Sequence, residues 1–192
     1  MRHPKFKPLA ILLTGTPCTG KTSLAQAWCK KNKWSYLSLN DIVTRKKLYS
    51  KIDKKDGAKV VKLAALEREA NKAIEQTSRP LLVEGHLGCE IKLDVARVLV
   101  LRLEPNALAQ RLSKRRYSSS KLAENKMVEM LDYCTICSLE QYGHRKVFEI
   151  NVSKKTLKQN LSSFARFVSA SKSGLRSFLP HVSWSAALMA EV

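Results

Sequence analysis

Short apolar runs and longer stretches of helical spacing alternate along this chain. Five runs read as strands: 9–14, 35–39, 80–84, 97–103 and 147–151. Leu9 to Leu13 is continuously apolar, as a strand buried on both faces must be. Residues 20–32, 40–49, 57–77, 105–115, 120–141 and 154–171 instead carry apolar positions at intervals of three and four, the spacing that lines one face of a helix. In 57–77 the inward face reads as Val60, Val61, Leu63, Ala64, Leu66, Ala70, Ala73 and Ile74. The polar stretch 50–56 interrupts the periodicity and predicts a mobile connection. Strands alternating with helices imply parallel βαβ units. The expected class is therefore α/β, a three-layer sandwich with ligands at the carboxyl ends of the strands.

One segment fixes what the ligand is. Gly15-Thr16-Pro17-Cys18-Thr19-Gly20-Lys21-Thr22 fits G-x-x-x-x-G-K-[ST], with a strand before it and a helix after it. The chemistry dictates the composition. Backbone N–H groups must wrap a chain of phosphates, and a helix must begin with its positive end aimed at them. Gly15 and Gly20 allow the tight backbone, Lys21 reaches the β- and γ-phosphates, and the Thr22 hydroxyl can ligate Mg²⁺. Pro17, Cys18, Thr19 and Ser23 complete the expected ATP-binding segment.

Three further stretches carry candidate chemistry. Asn40 or Asp41 can cap the helix after the second strand. Arg45 would lie on that helix, where its fork suits a second phosphate. Glu84 closes the buried run Leu81-Leu82-Val83, a costly place for a carboxylate unless it acts on Mg²⁺ directly or through water. His86 follows in the loop over the cleft, placed to contact a phosphate or hold a water. Arg111-Leu112-Ser113-Lys114-Arg115-Arg116-Tyr117 ends a helix in a basic knot, as a mobile lid that excludes water and supplies positive charge would.

Composition changes the picture at two points. Thirty-five Lys and Arg against sixteen Asp and Glu leave a net charge of +19, more than one nucleotide needs. Such a field favours polyanionic partners, RNA above all, or else it is a lysine-rich solvated surface. Five scattered cysteines suit a reducing compartment, and Cys134-x-x-Cys137 reads as two core-facing thiols rather than half a metal site. No apolar run approaches the ~20 residues of a membrane span, and residues 1–8 lack the apolar core of a signal peptide. A cytoplasmic location without membrane association is expected, with the nucleus open for a eukaryotic chain. Residues 1–171 form the expected catalytic domain. Past Ser171-Lys172-Ser173-Gly174, the tail 172–192 carries Leu175, Phe178, Leu179, Val182, Trp184, Leu188 and Met189. It is too apolar for solvated disorder, and either packs on the body or docks on a partner.

Several motifs occur together: Gly-Thr-Pro-x-x-Gly-Lys-Thr, Asp41 with Arg45, and Glu84-x-His86. Arg115-x-Tyr117-x-x-x-Lys121, Glu124-Asn125 and Glu149-Ile150 follow in the same register. Over about 9–170 the chain resembles the adenylate kinase isoenzyme 6 family and its archaeal relatives. The resemblance implies a P-loop NTPase fold with a five-stranded parallel sheet, a short AMP-binding segment and a short lid. It implies ATP and AMP as substrates, Mg²⁺ as cofactor, and the γ-phosphoryl transferred with Lys21, Glu84, His86 and Arg116 in catalysis. Arg115 would touch ATP, Asp41, Arg45 and Arg111 the acceptor, and Thr22 with Glu84 the metal. Small-subunit ribosomal protein and rRNA are the implied partners, with an ATPase assembly factor as alternative function and another small-molecule kinase as a third reading. Cys18 and Arg116 stand where the family commonly has Gly, Glu84 where Asp is familiar, and Leu87 adds a residue after His86.

Overall fold

A computed structural model describes residues 8–52, 59–115 and 117–190. Five parallel strands form its centre: β1 (Ala10–Thr14), β2 (Ser35–Ser38), β5 (Leu81–Glu84), β6 (Arg97–Arg102) and β7 (Val147–Asn151). Their order across the sheet is β2-β5-β1-β6-β7, so β1 lies in the middle and the segment after it opens at the sheet's carboxyl edge. The register aligns Leu13 with Glu84 on one side and Leu99 on the other, which brings Glu84 to the level of the phosphate loop. The expected five-stranded parallel P-loop fold is present.

The inner strands β1, β5 and β6 are buried on both faces, and their alternate side chains feed two separate half-cores. Leu12, Val83 and Val98 meet Leu39 and Val43 of α2 (Leu39–Arg45) and Leu66 and Ile74 of α3 (Leu63–Glu75). Ile11, Leu13 and Leu99 meet Leu24 and Trp28 of α1 (Lys21–Asn32), and Phe164 and Phe167 of α7 (Leu157–Ser169). Trp28 stands edge-on to Phe164 with ring centroids 4.9 Å apart. Local signals fix the helix starts. Thr156 and Gln159 form a reciprocal capping box at α7, and α4 (Pro105–Lys114) begins with Glu104 as cap and Pro105 at the first helical position.

The sequence reading errs at three helices. Residues 40–49 shorten to Leu39–Arg45, capped by the Ser38 hydroxyl, which accepts from the Asp41 N–H at 3.2 Å, rather than by Asn40 or Asp41. Lys47, left-handed at φ 53°, then turns the chain out of the helix. Residues 57–77 become helical only from Leu63. Before it, Lys59–Val61 (β4) pairs antiparallel with Tyr49–Ile52 (β3), so part of the predicted mobile connection is a hairpin. Val60-Val61 are β-branched and favour a strand; Val60 is 54% exposed and Ala64 is exposed, against the inward face assigned to them. Residues 53–56 of that connection, and 57–58 of the expected helix, lie outside the described residues. Finally, 120–141 divides into α5 (Ser119–Met130) and α6 (Tyr133–Tyr142), separated by Asp132 at φ 56°.

The tail packs on the body. Phe178, in a 3₁₀ turn at Gly174–Phe178, stands edge-on to Phe167 at 5.4 Å. The short helix α8 (Ser185–Met189) lies along α5. Among the described residues no helix is long and apolar enough to cross a membrane. Cys134 is buried and Cys137 half-buried, both against the core, and no cluster of three metal-ligating side chains occurs among the described residues.

Candidate active site

The loop after β1 is held by what its residues lack and what they bury. Gly15 adopts φ 130°, and a Cβ there would meet the Leu101 carbonyl oxygen at 2.5 Å, so nothing larger fits against β6. Cys18 takes a left-handed φ of 67°, the conformation its glycine-like position demanded, with its Cβ accommodated. Lys21 is 6% exposed, and its ammonium donates to the Gly15 and Thr16 carbonyls at 2.8 and 2.9 Å. Burial lowers its pKa, an effect that neighbours such as Cys134 and Glu84 only partly oppose.

Glu84 is buried at the carboxyl end of β5, with each oxygen partnered. Oε1 accepts from the Thr22 hydroxyl at 3.1 Å, and Oε2 from the Tyr36 hydroxyl at 2.8 Å. Burial, reinforced by the Glu84 hydrogen bond, raises the Tyr36 pKa, which keeps the phenol a donor. His86 opens the 3₁₀ turn His86–Cys89 that follows. Burial above all, then the charges of Lys21 and Lys121, pushes its pKa down from 6.5 to about 4. His86 is therefore neutral at neutral pH. Between pH 6.5 and 4 the unfolded chain takes up a proton that folded His86 does not, so its contribution to stability is full above 6.5 and falls with pH through that window. NMR of the imidazole should give a midpoint near pH 4 for His86 in the unliganded protein; one above 6 would show a water-exposed ring.

Three adjoining cavities run across this edge of the sheet. The middle one, about 160 Å³, is the phosphate cleft; it brings together Lys21, Thr22, Glu84, His86 and Arg115. It shares Pro17, Asn40, His86 and Tyr117 with a larger cavity of about 520 Å³, whose walls include Val43, Thr44, Leu63 and Glu90. On the far side it shares Gly20 and Ser23 with a third, about 140 Å³, lined by Thr19, Arg111 and Asn160. Arg111 lies there, its guanidinium 3.4 Å from the Cys18 and Thr19 carbonyls, away from the larger cavity. Asp41 and Arg45 line none of the three. They pair with each other at 3.4 Å, and the Arg45 side chain is 79% exposed. Arg116 lies outside the described residues.

Sequence reasoning missed Tyr36, Asn160 and Glu129. Tyr36 offered only strand character. Asn160 falls on α7, far along the chain, and its buried Oδ1 has no partner, like the Thr19 hydroxyl in the same cavity. Glu129 is 2% exposed, and its Oε2 accepts from the Thr16 hydroxyl of the phosphate loop at 2.5 Å. Glu124-Asn125 drew attention to α5, but nothing local marked Glu129 as facing inward.

Comparison with known proteins adds what geometry alone leaves open. The family described as AAA domain matches residues 11–132. A protein named "Putative adenylate kinase" from Methanosarcina acetivorans is 32% identical over 171 residues, which is 86% of this chain and 89% of that one. One of the same name from Pyrococcus abyssi is 28% identical, with 92% of each chain covered. Phosphate loop, buried acid and adjoining cavities thus belong to a P-loop nucleotide kinase. The fold is shared with a gluconokinase from Sinorhizobium meliloti, at TM-score 0.53, 12% identity and coverage of 96% and 98%. It is shared also with the YorR protein of Bacillus subtilis, solved with phosphorylated GDP, at TM-score 0.55, 14% identity and coverage of 83% and 95%. The chain belongs to the AAA-domain family of P-loop proteins.

Proposed function

We propose that this protein is an adenylate kinase that transfers the γ-phosphoryl group of ATP to AMP, close to the isoenzyme 6 type. The observation that carries the reading is the row of three cavities. A hydrolase needs one nucleotide site and a water, whereas a phosphotransferase needs two ligands meeting at one phosphate cleft. The cavity at Thr19, Arg111 and Asn160 suits the donor base, since Arg111 offers a planar face and two buried polar atoms there await partners. The cavity of about 520 Å³ suits the acceptor nucleoside, and it is bounded by the α2 and α3 ends that the β3–β4 hairpin joins. Asp41 and Arg45 lie outside its lining, on the helix that supplies Val43 and Thr44 to it, and Arg45 would reach an acceptor phosphate only by giving up an exposed ion pair worth about 0.5 kcal/mol.

Lys21 and Arg115 neutralise charge on the phosphates, and the neutral His86 holds the acceptor phosphate or a water by hydrogen bonding. Arg116 is assigned to the lid with Arg115. The Thr22 hydroxyl and Glu84 carboxylate, 3.1 Å apart on the floor of the phosphate cleft, form the all-oxygen donor pair that Mg²⁺ prefers. When bound, Mg²⁺ would offset the charge that builds on the β- and γ-phosphate oxygens.

The second reading is an ATPase that works on an RNA assembly such as the small ribosomal subunit, with cytoplasmic or nuclear residence. The net charge of +19 favours it. One experiment separates the two: ATP turnover against AMP, CMP, GMP and UMP, each with and without RNA. The kinase reading expects ADP from AMP at the highest kcat/KM and little effect of RNA. Hydrolysis without transfer to any monophosphate, accelerated by RNA, would replace it with the ATPase.

A further inference from the structure

Behind the phosphate loop lies a buried ionic hub that none of the nucleotide chemistry uses. Arg102, at the end of β6, is 1% exposed. Its Nε donates to Glu129 Oε1 at 2.9 Å, its Nη1 to Glu149 Oε1 at 2.6 Å, and its Nη2 pairs with Asp132. Three carboxylates thus face one guanidinium, and Glu129 and Glu149 are each 2% exposed. Fixed donors must satisfy the oxygens that Arg102 does not reach.

The C-terminal segment supplies them. Glu149 Oε2 accepts from the His181 and Val182 N–H groups, both at 3.0 Å. The Val182 carbonyl accepts from Arg102 at 3.2 Å, and the Trp184 indole donates to Glu129 Oε1 at 3.1 Å. The opposite oxygen of Glu129 holds the Thr16 hydroxyl in the phosphate loop. A single carboxylate therefore has the tail on one oxygen and the loop on the other. Oε1 also accepts from Arg102 and the Leu103 N–H, so its position depends on strand β6 as well.

We propose that Glu129 is a positioning residue for the phosphate loop, and that through it ATP binding and docking of residues 179–184 reinforce each other. If the tail lifts, Glu149 Oε2 loses both backbone donors and Glu129 loses the indole. The carboxylate that orients Thr16 then keeps only Arg102 and the Leu103 N–H on Oε1, and its hold on the loop is looser. By linkage, whatever the tail adds to ATP affinity, ATP returns to tail docking, and any partner that takes the tail loosens the nucleotide. The inference rests on triphosphate binding at the loop and not on the identity of the acceptor.

The test measures amide hydrogen exchange at His181 and Val182 in the full-length protein, with and without Mg-ATP, alongside the ATP Kd by calorimetry. ATP should slow exchange at both amides about five-fold or more. Trp184→Phe, which keeps the ring's bulk and removes the N–H, should weaken ATP binding by a similar factor. Thr16→Val should abolish the slowing and Thr16→Ser should restore it, which a merely structural role of the threonine would not produce. Glu129→Gln should act like Thr16→Val, and exchange in β1 and β6 reports whether that variant is folded. Normal ATP binding with unchanged exchange at His181 and Val182 would overturn the coupling and leave the kinase reading intact. Coupling in a protein that phosphorylates no monophosphate would do the reverse.

Discussion

Lys21→Met should reduce phosphoryl transfer by at least about a thousand-fold while the chain still folds. The ammonium lies over the phosphate cleft, pinned to the Gly15 and Thr16 carbonyls. Preorganised charge of this kind, acting in a site that excludes water, is worth about a hundred- to a thousand-fold for a single donor. In the proposed reaction Lys21 would meet the β- and γ-phosphates together, which sets the expectation at or beyond the top of that range. Folding should survive because burial already disfavours the charged form, so methionine removes a desolvation cost along with two hydrogen bonds. A coupled assay of ADP formation, with a thermal melt beside it, makes the measurement. Activity within ten-fold of the parent would remove Lys21 from the chemistry.

Arg102→Met should cost about 3–5 kcal/mol of stability, as much as truncating a core aromatic. Methionine fills much of the volume, so the loss is electrostatic: Glu129, Asp132 and Glu149 would remain together without their cation. In a chain of this size each kcal/mol moves the melting midpoint by about 2–4 °C, so a fall of about 10 °C is expected. Arg45→Met is the control. That side chain is 79% exposed, and its loss should change stability by less than about 0.5 kcal/mol. A fall below about 2 °C for Arg102→Met would mean that the carboxylates find water or protons instead.

The phosphate loop and the sheet were legible because their signals are local. A strand buried on both faces must be apolar throughout, and a phosphate cradle must use Gly, Lys and Thr at set intervals. Cys18 stands where the resembled family commonly has Gly, and it takes a left-handed φ of 67°. The hairpin was hidden because Val60-Val61 followed by Leu63 fits a helical face as well as a strand. The break at Asp132 carried no Gly or Pro; aspartate is among the few other residues that enter the left-handed region, and there its carboxylate pairs with Arg102. The hub was illegible for a different reason. Arg102 sits in an apolar run as if it merely flanked a strand, and its partners lie 27, 30, 47 and 80 residues away. No pattern of period two or four reports a contact over such distances. At the proposed acceptor side, type and spacing found a helix at α2 but made it too long, and Asp41 and Arg45 face solvent, which periodicity over seven residues does not decide.

The order in which the chain is synthesised gives the Glu149 contacts a further meaning. The phosphate loop is complete once residue 22 has left the ribosome, yet His181, Val182 and Trp184 emerge about 160 residues later. At roughly 5–20 residues per second that is an interval of about ten to thirty seconds. β7 ends at Asn151, about thirty residues before His181, so for roughly the last two to six seconds of it Glu149 is present but still lacks the two backbone donors that enclose it. The carboxylates of the hub are enclosed only when residues 179–184 close over them. The phosphate loop therefore reaches its final surroundings only when a segment about 160 residues further along the chain arrives.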